Sequence, residues 1–262
     1  MPDNALRPFK LSVPESVLED LRQRLLNTRL PDEPPLDPWS TGTSVAYLKK
    51  LLAYWLDGYD WRAQEAQLNA FRQFTVPLAG IDVHFIHEEG KGPNPMPLLL
   101  CHGWPGSVME FYKLLPLLTD PARFGGDPAD AFTVVAPSLP GYVFSFKPGQ
   151  KRFSIEEIAE VFVALMTEVL GYQRFGAQGG DWGAFVASRL GFAFPARMIG
   201  IHLNLLAVRR DAKMTANPTP EEKVFLDQLN LFLKEETGYQ WIQGTKPTTL
   251  AEEIRAFFRP LR

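Results

Sequence analysis

Apolar residues recur at helical spacing over residues 1–72, with no strand-like alternation. Val17, Leu18, Leu21 and Leu25 make one stripe, and Ser12 with Glu15 has capping-box spacing ahead of it. Pro31, Pro34, Pro35 and Pro38 break the next stretch into an extended connector. A second helix is expected from Val45 to Asp57, with Leu48, Leu51, Leu52 and Trp55 inward and Gly58 ending it. A third helix follows Asp60.

From Phe74 the pattern changes. Val76 to Leu78 and Ile81 to His87 read as two strands joined at Ala79-Gly80. Leu98 to Cys101 is a short unalternating apolar run, the mark of a strand buried on both faces. Phe132 to Ala136, Arg174 to Gln178 and Met198 to Leu203 are the next strands. Between them Ser107 with Glu110 opens a helix carrying Phe111, Leu114, Leu115 and Leu118. Ser154 with Glu157 caps a long helix with Ile158, Val161, Phe162, Leu165 and Val169 inward, closed by Gly171. Ala184 to Leu190 forms the next helix. Strands alternating with helices imply an α/β fold, a doubly wound sheet with right-handed crossovers. After Leu205 the alternation stops. Thr219 caps a helix with Pro220 at its first position, Val224, Phe225, Leu229, Leu231 and Phe232 follow, and Gly238 closes it. The chain thus divides into a helical segment (1–72), a sheet core (73–205) and a helical cap over the sheet (206–262).

Composition narrows the function. The 262 residues, 45% of them hydrophobic, suffice for one domain, alone or with an insertion. A net charge of −3 without any basic run excludes nucleic acid as the expected partner. The lone cysteine, Cys101, rules out an intramolecular disulfide and fits a reducing compartment. Neither a signal-peptide pattern nor an apolar stretch of membrane length occurs, so a cytoplasmic chain without a membrane anchor is expected. His84 and His87 sit three apart on a strand and face opposite sides, so they cannot share a metal. His202 with Asn204 ends a strand and reads as structural. No metal-ligand spacing, dinucleotide fingerprint or phosphate loop is present, so neither metal nor cofactor is expected.

The chemistry centres on Gly179-Gly180-Asp181-Trp182-Gly183. A strand, a tip residue between small neighbours and a helix make a nucleophile elbow. Its tip is Asp181, a carboxylate that needs no base to become a nucleophile and would form an ester to its own side chain. The competing reading is an Asp that only caps the helix, but the glycines on either side would serve no cap. The loop His102-Gly103-Trp104-Pro105-Gly106 comes after the Cys101 strand. It can aim a backbone N–H across the elbow, to make an oxyanion hole with the N–H of Trp182. His102 is tempting as a base, but it lies on the wrong strand for a triad histidine and reads as ordering the loop. Tyr239 comes after the cap helix; a phenol can donate to a leaving oxygen, and spacing alone does not raise it above a packing aromatic.

These stretches, with Tyr54 to Arg62, Pro137 to Tyr142 and His202 to Asn204, resemble the microsomal-type epoxide hydrolases, including the juvenile-hormone epoxide hydrolases. The resemblance runs to about Ala251. It implies the α/β-hydrolase fold and an epoxide as small-molecule substrate. It also implies an elbow aspartate, Asp181, that attacks the oxirane carbon, and a cap tyrosine, Tyr239, that holds the oxirane oxygen. Residues 1–72 would be the family's meander bracing the cap. Val143 departs from the family's usual glycine, and residues 252–262 depart from its pattern altogether. The expectation is a truncated member: a sheet incomplete at its carboxyl end, a partial cap, and no charge-relay acid or base histidine. Met198 to Leu203 would then be an exposed apolar edge, open to self-association or to a complementing chain. Two rival readings stand beside this one. A haloalkane dehalogenase also carries Asp-Trp at its elbow, and a non-catalytic binding remnant would keep the pocket without the chemistry.

Overall fold

The computed structural model describes residues 5–33, 37–39, 42–205 and 216–235. Two compact units form, Met1–Arg24 with Gly58–Ala207, and Leu25–Asp57 with Val208–Arg262. The helical segment read as one stretch over 1–72 is therefore shared between both.

The larger unit is built on one seven-stranded sheet. Its strands are β1 (Arg7–Pro8), β2 (Gln73–Leu78), β3 (Ile81–Glu88), β4 (Met96–Cys101), β5 (Phe132–Pro137), β6 (Phe175–Gly179) and β7 (Met198–Leu203), in spatial order β1-β2-β3-β5-β4-β6-β7. β2 and β3 are antiparallel through a two-residue turn whose Ala79 and Gly80 both take positive φ, 49° and 82°. β3 is also antiparallel to β5, whereas β5, β4, β6 and β7 run parallel. The doubly wound part is thus four strands wide, with an antiparallel flank. One expectation is corrected: residues 1–72 do contain a strand, β1, which pairs Arg7 with Thr75. Two residues are too few for alternation to register.

The chain steps from β4 to β5 on one side, then crosses to β6 on the other. That reversal opens a crevice at the carboxyl ends of β4 and β6, which is where such sheets bind ligands. Both faces of the centre are packed. Leu99 and Val135 point to one face, against Phe162 and Leu165, and against Val186 and Leu190 of the helix after β6. Leu100 and Val134 point to the other, against Val108, Phe111, Leu115 and Leu68. Alternate residues of one strand fill opposite cores, which is why β4 shows no alternation.

The helices obey their caps where the caps form. Helix α5 (Ile155–Ala164) carries the expected capping box, with Ser154 and Glu157 each bonding the other's backbone N–H. A π-turn (Leu165–Val169) extends it to Gly171 at φ 78°. Helix α3 (Trp61–Asn69) takes its cap from Asp60. In the smaller unit, Thr219 and Glu222 cap α7 (Pro220–Glu235) reciprocally, at 2.8 and 3.2 Å. Gly238, read as closing that helix, lies outside the described residues.

Three helical readings are corrected. Helix α1 (Glu15–Leu26) starts from the Pro14 carbonyl, which accepts the Val17 and Leu18 N–H groups at 3.0 and 3.3 Å, so Ser12 lies too far ahead to cap it. In α2 (Val45–Asp57) it is Leu48 and Leu52 that are half-buried, while Leu51 and Trp55 are exposed. After Ser107 there is no single helix. A short 3₁₀ turn (Val108–Phe111) precedes α4 (Leu114–Thr119), and Ser107 Oγ accepts from the Met109 N–H instead.

β7 is the outermost strand on its side among the described residues, and Ile199 and Ile201 remain exposed. α4 covers only part of that face. Leu98, Leu100, Leu118, Phe132, Ile199 and Ile201 line an open cavity of about 530 Å³.

His84 shows how the antiparallel flank is fixed. The Gln73 amide N–H donates to Leu68 O, so Gln73 Oε1 faces the ring and accepts from His84 Nε2 at 3.0 Å. Nδ1 therefore accepts from Ser138 Oγ at 2.9 Å. The ring is fully buried, edge-on to Phe9 and Phe144, and burial pulls its pKa down to about 3. A folded-state pKa below the unfolded one makes this contribution complete above about pH 6.5 and lost as pH falls from there toward 3. His84→Gln is accordingly expected to flatten the loss of stability between pH 6.5 and 4, measured by urea unfolding at each pH. An unchanged slope would count against a neutral buried imidazole.

Candidate active site

The elbow joins β6 to helix α6 (Trp182–Ala193) through Gly180 and Asp181. Asp181 takes φ 50°, ψ −126°, a strained conformation for a residue with a side chain. The glycines are required by contact. A Cβ at Gly179 would overlap the Gly183 carbonyl, and one at Gly183 would overlap the carbonyls of Cys101 and His102. Asp181 makes no helix-capping hydrogen bond. Its carboxylate turns toward the loop after β4, where the Trp104 N–H donates to Oδ1 at 2.8 Å. The backbone amides of Trp104 and Trp182 hold its pKa below the usual carboxylate range. Gly103 permits the approach, since a Cβ there would stand 2.6 Å from Asp181 Cβ.

His102 is buried within this loop and both ring nitrogens are used. Nε2 accepts the Leu139 N–H at 3.0 Å, so Nδ1 carries the proton and donates to Gly103 O at 3.0 Å. Burial lowers its pKa, and the Tyr142 ring packs edge-on to it. The imidazole stays neutral and ties the loop after β4 to the one after β5. Trp104 is 66% exposed, and a cis peptide links it to Pro105.

Two recesses flank Asp181. The polar one, about 430 Å³, is lined by Gly103, Trp104, Pro105, Glu110, Gly180 and Asn204. The apolar one, about 490 Å³, is lined by Leu139, Tyr142, Phe153, Trp182 and Val186. Burial and the charge of Asp181 push the Tyr142 phenol up. Asn204 braces the elbow from β7: its N–H donates to Gly179 O at 3.3 Å and its Oδ1 accepts from Gln178 at 3.1 Å.

The structure therefore brings together Asp181, Trp182, His102, Gly103, Trp104 and Pro105. Tyr239 lies outside the described residues. Sequence reasoning missed Glu110 as a site residue, because its spacing from Ser107 looks like a cap. Tyr142 stands out in the sequence only by its likeness to the family. His84 and His87 do face apart, the latter bonding Tyr172 at 3.0 Å. Among the described residues no cluster could hold a metal ion, and no helix is long and apolar enough to cross a membrane.

The family model described as "alpha/beta hydrolase fold" matches residues 96–239. The chain belongs to that family. The model "Epoxide hydrolase N terminus" matches residues 6–111, so this part of the chain is similar to the amino-terminal region of epoxide hydrolases. It is 46% identical to the "Putative epoxide hydrolase" of Stigmatella aurantiaca (strain DW4/3-1), over 94% of this chain and 56% of the relative. It is 38% identical to Epoxide hydrolase 1 of Oryctolagus cuniculus, over 95% of this chain and 58% of that one. Among solved structures it is similar to the juvenile hormone epoxide hydrolase of Bombyx mori, with a TM-score of 0.71 and 33% identity over 94% of this chain and 58% of that one. It is likewise similar to the Aspergillus niger epoxide hydrolase, with a TM-score of 0.74 and 32% identity over 95% and 66%. The chain thus spans little more than half the length of these curated relatives.

Gly183→Ala tests the elbow by the sign of its effect. Inside an ordinary helix Gly→Ala stabilises by about 1 kcal/mol. Here the methyl meets the Cys101 and His102 carbonyls, and a loss of about 1–3 kcal/mol is expected instead, read as a lower urea midpoint.

Proposed function

We propose that this chain performs the ring-opening half of epoxide hydrolysis, with Asp181 as the nucleophile. The observation that carries the reading is the Asp181 carboxylate, raised on a strained elbow and bonded by the Trp104 N–H. A carboxylate oxygen attacks an oxirane carbon as the C–O bond breaks. The released oxygen takes a proton from Tyr239, a role its sequence context suggests. The product is an ester of Asp181. Water adding to the ester carbonyl would place negative charge on an oxygen facing the backbone amides of Trp104 and Trp182, and collapse would return the carboxylate and a vicinal diol. Gly103 and Pro105 shape the loop that offers the Trp104 N–H, and His102 orders it.

The second half needs a base for the water. Among the described residues no free imidazole lines the recesses beside Asp181, since both nitrogens of His102 are bonded. The 262 residues are accordingly expected to be alkylated without sustained turnover. A small epoxide is the substrate class, detoxification in the cytoplasm the setting, and the open edge at β7 the surface for self-association or a complementing chain.

Incubation with styrene oxide should add one epoxide mass, localised to Asp181 and absent from Asp181→Asn. Repeated diol release by the pure chain would refute the single-turnover limit. Chloride release from a haloalkane would favour the dehalogenase reading, and no adduct at all a binding remnant. Because its carboxyl titrates below the usual range, the alkylation rate should hold its plateau as pH falls to about 4. A rate that already halves near pH 5 would contradict the lowered pKa. At the sheet edge, Ile201→Lys should reduce self-association in light scattering, and an equally associated variant would exclude β7 as the contact.

A further inference from the structure

The loop after β4 lies between two carboxylates. The Trp104 N–H donates to Asp181, and Pro105 has none to give. The backbone amides of Gly103 and Ser107, on either side, act to lower the Glu110 pKa against its burial. The Glu110 side chain comes from the following 3₁₀ turn and folds back under the loop. It lies so close to Gly106 that a Cβ there would overlap its carboxylate. It lines the same polar recess as Asp181 and Asn204.

We propose that Glu110 is a positioning residue of this site, its carboxylate filling the inside of the Gly103–Ser107 loop at Gly106 so that the Trp104 N–H points at Asp181. This deepens the reading of Asp181 as nucleophile and rests on it. Two features support it. A carboxylate packed against Gly106 on the inside of a tight loop fixes its curvature more firmly than water, which exchanges. The cost is a second acidic group near Asp181. Desolvation and the Asp181 charge push the Glu110 carboxyl above its ordinary range, while Asp181 is held below its own. The two environments push the pair apart, with Asp181 the more acidic of the two. A residue serving only as a helix cap would have no reason to face the recess that Glu110 lines beside Asp181.

The test reads the Trp104 amide in ¹⁵N-labelled protein, with Asp181→Ala marking where that signal falls once its acceptor is gone. Glu110→Ala should move the signal upfield by at least roughly half of the Asp181→Ala displacement. Glu110→Gln, which keeps one acceptor oxygen, should return most of it. A Trp104 signal at its wild-type position in Glu110→Ala overturns the proposal. Should Glu110→Ala fail to fold, Gly106→Ala decides, because the added methyl displaces the carboxylate without removing it. The same upfield movement is then expected, and an unmoved signal overturns the proposal. The readout needs no epoxide. A wild-type chain that gains no adduct would refute Asp181 as nucleophile while the amide still answers for Glu110.

Discussion

The hydrogen bond from the Trp104 N–H to Asp181 sets the terms for the rest of the site. It joins two loops that are far apart in sequence, and it survives only if both strands beneath them stop at the same height. They do: Cys101 at the end of β4 pairs with Gly179 at the end of β6. From there one chain must turn up into a loop and the other back down into a helix within the width of one strand spacing. That crowding leaves no room for side chains at Gly103, Gly179 or Gly183. It also forces Asp181 into backbone angles that only surrounding contacts can maintain.

The supports of this contact are neutral groups and backbone atoms. His102, buried and uncharged, holds the loop to Leu139. Asn204 and Gln178 hold the elbow to β7. The peptide dipoles around the Asp181 carboxylate are oriented before any ligand arrives. Preorganisation of this kind spares the reaction the work of turning solvent toward a new charge.

Much of this was legible in the residues. The period of the apolar positions located all the strands of four residues or more, and glycines on both sides of one carboxylate marked the elbow. The features that stayed hidden depended on partners distant in sequence. β1 is recognisable only by its pairing with β2. The direction of β3 against β5 cannot be read from alternation, which is the same for either direction. Glu110 three residues after Ser107 satisfies a local rule, yet the side chain also fills the inside of the loop at Gly106 and lines the recess beside Asp181. Ser12 loses its role because the helix starts from the Pro14 carbonyl, which takes the Val17 and Leu18 N–H groups. Local patterns name an element well, and they fail where a longer-range contact offers the same group a better partner.

Cys101 carries a last consequence. Oxiranes are soft enough electrophiles that an accessible thiolate would capture them in competition with any carboxylate. This chain has one sulfhydryl, in the strand that leads to the site, yet its side chain faces the closed core beneath α5 and α6. It is 1% exposed, and burial drives its pKa upward, so the reactive thiolate form is suppressed. The alternation of a single β-strand thus turns the one thiol inward, away from any electrophile that reaches the elbow.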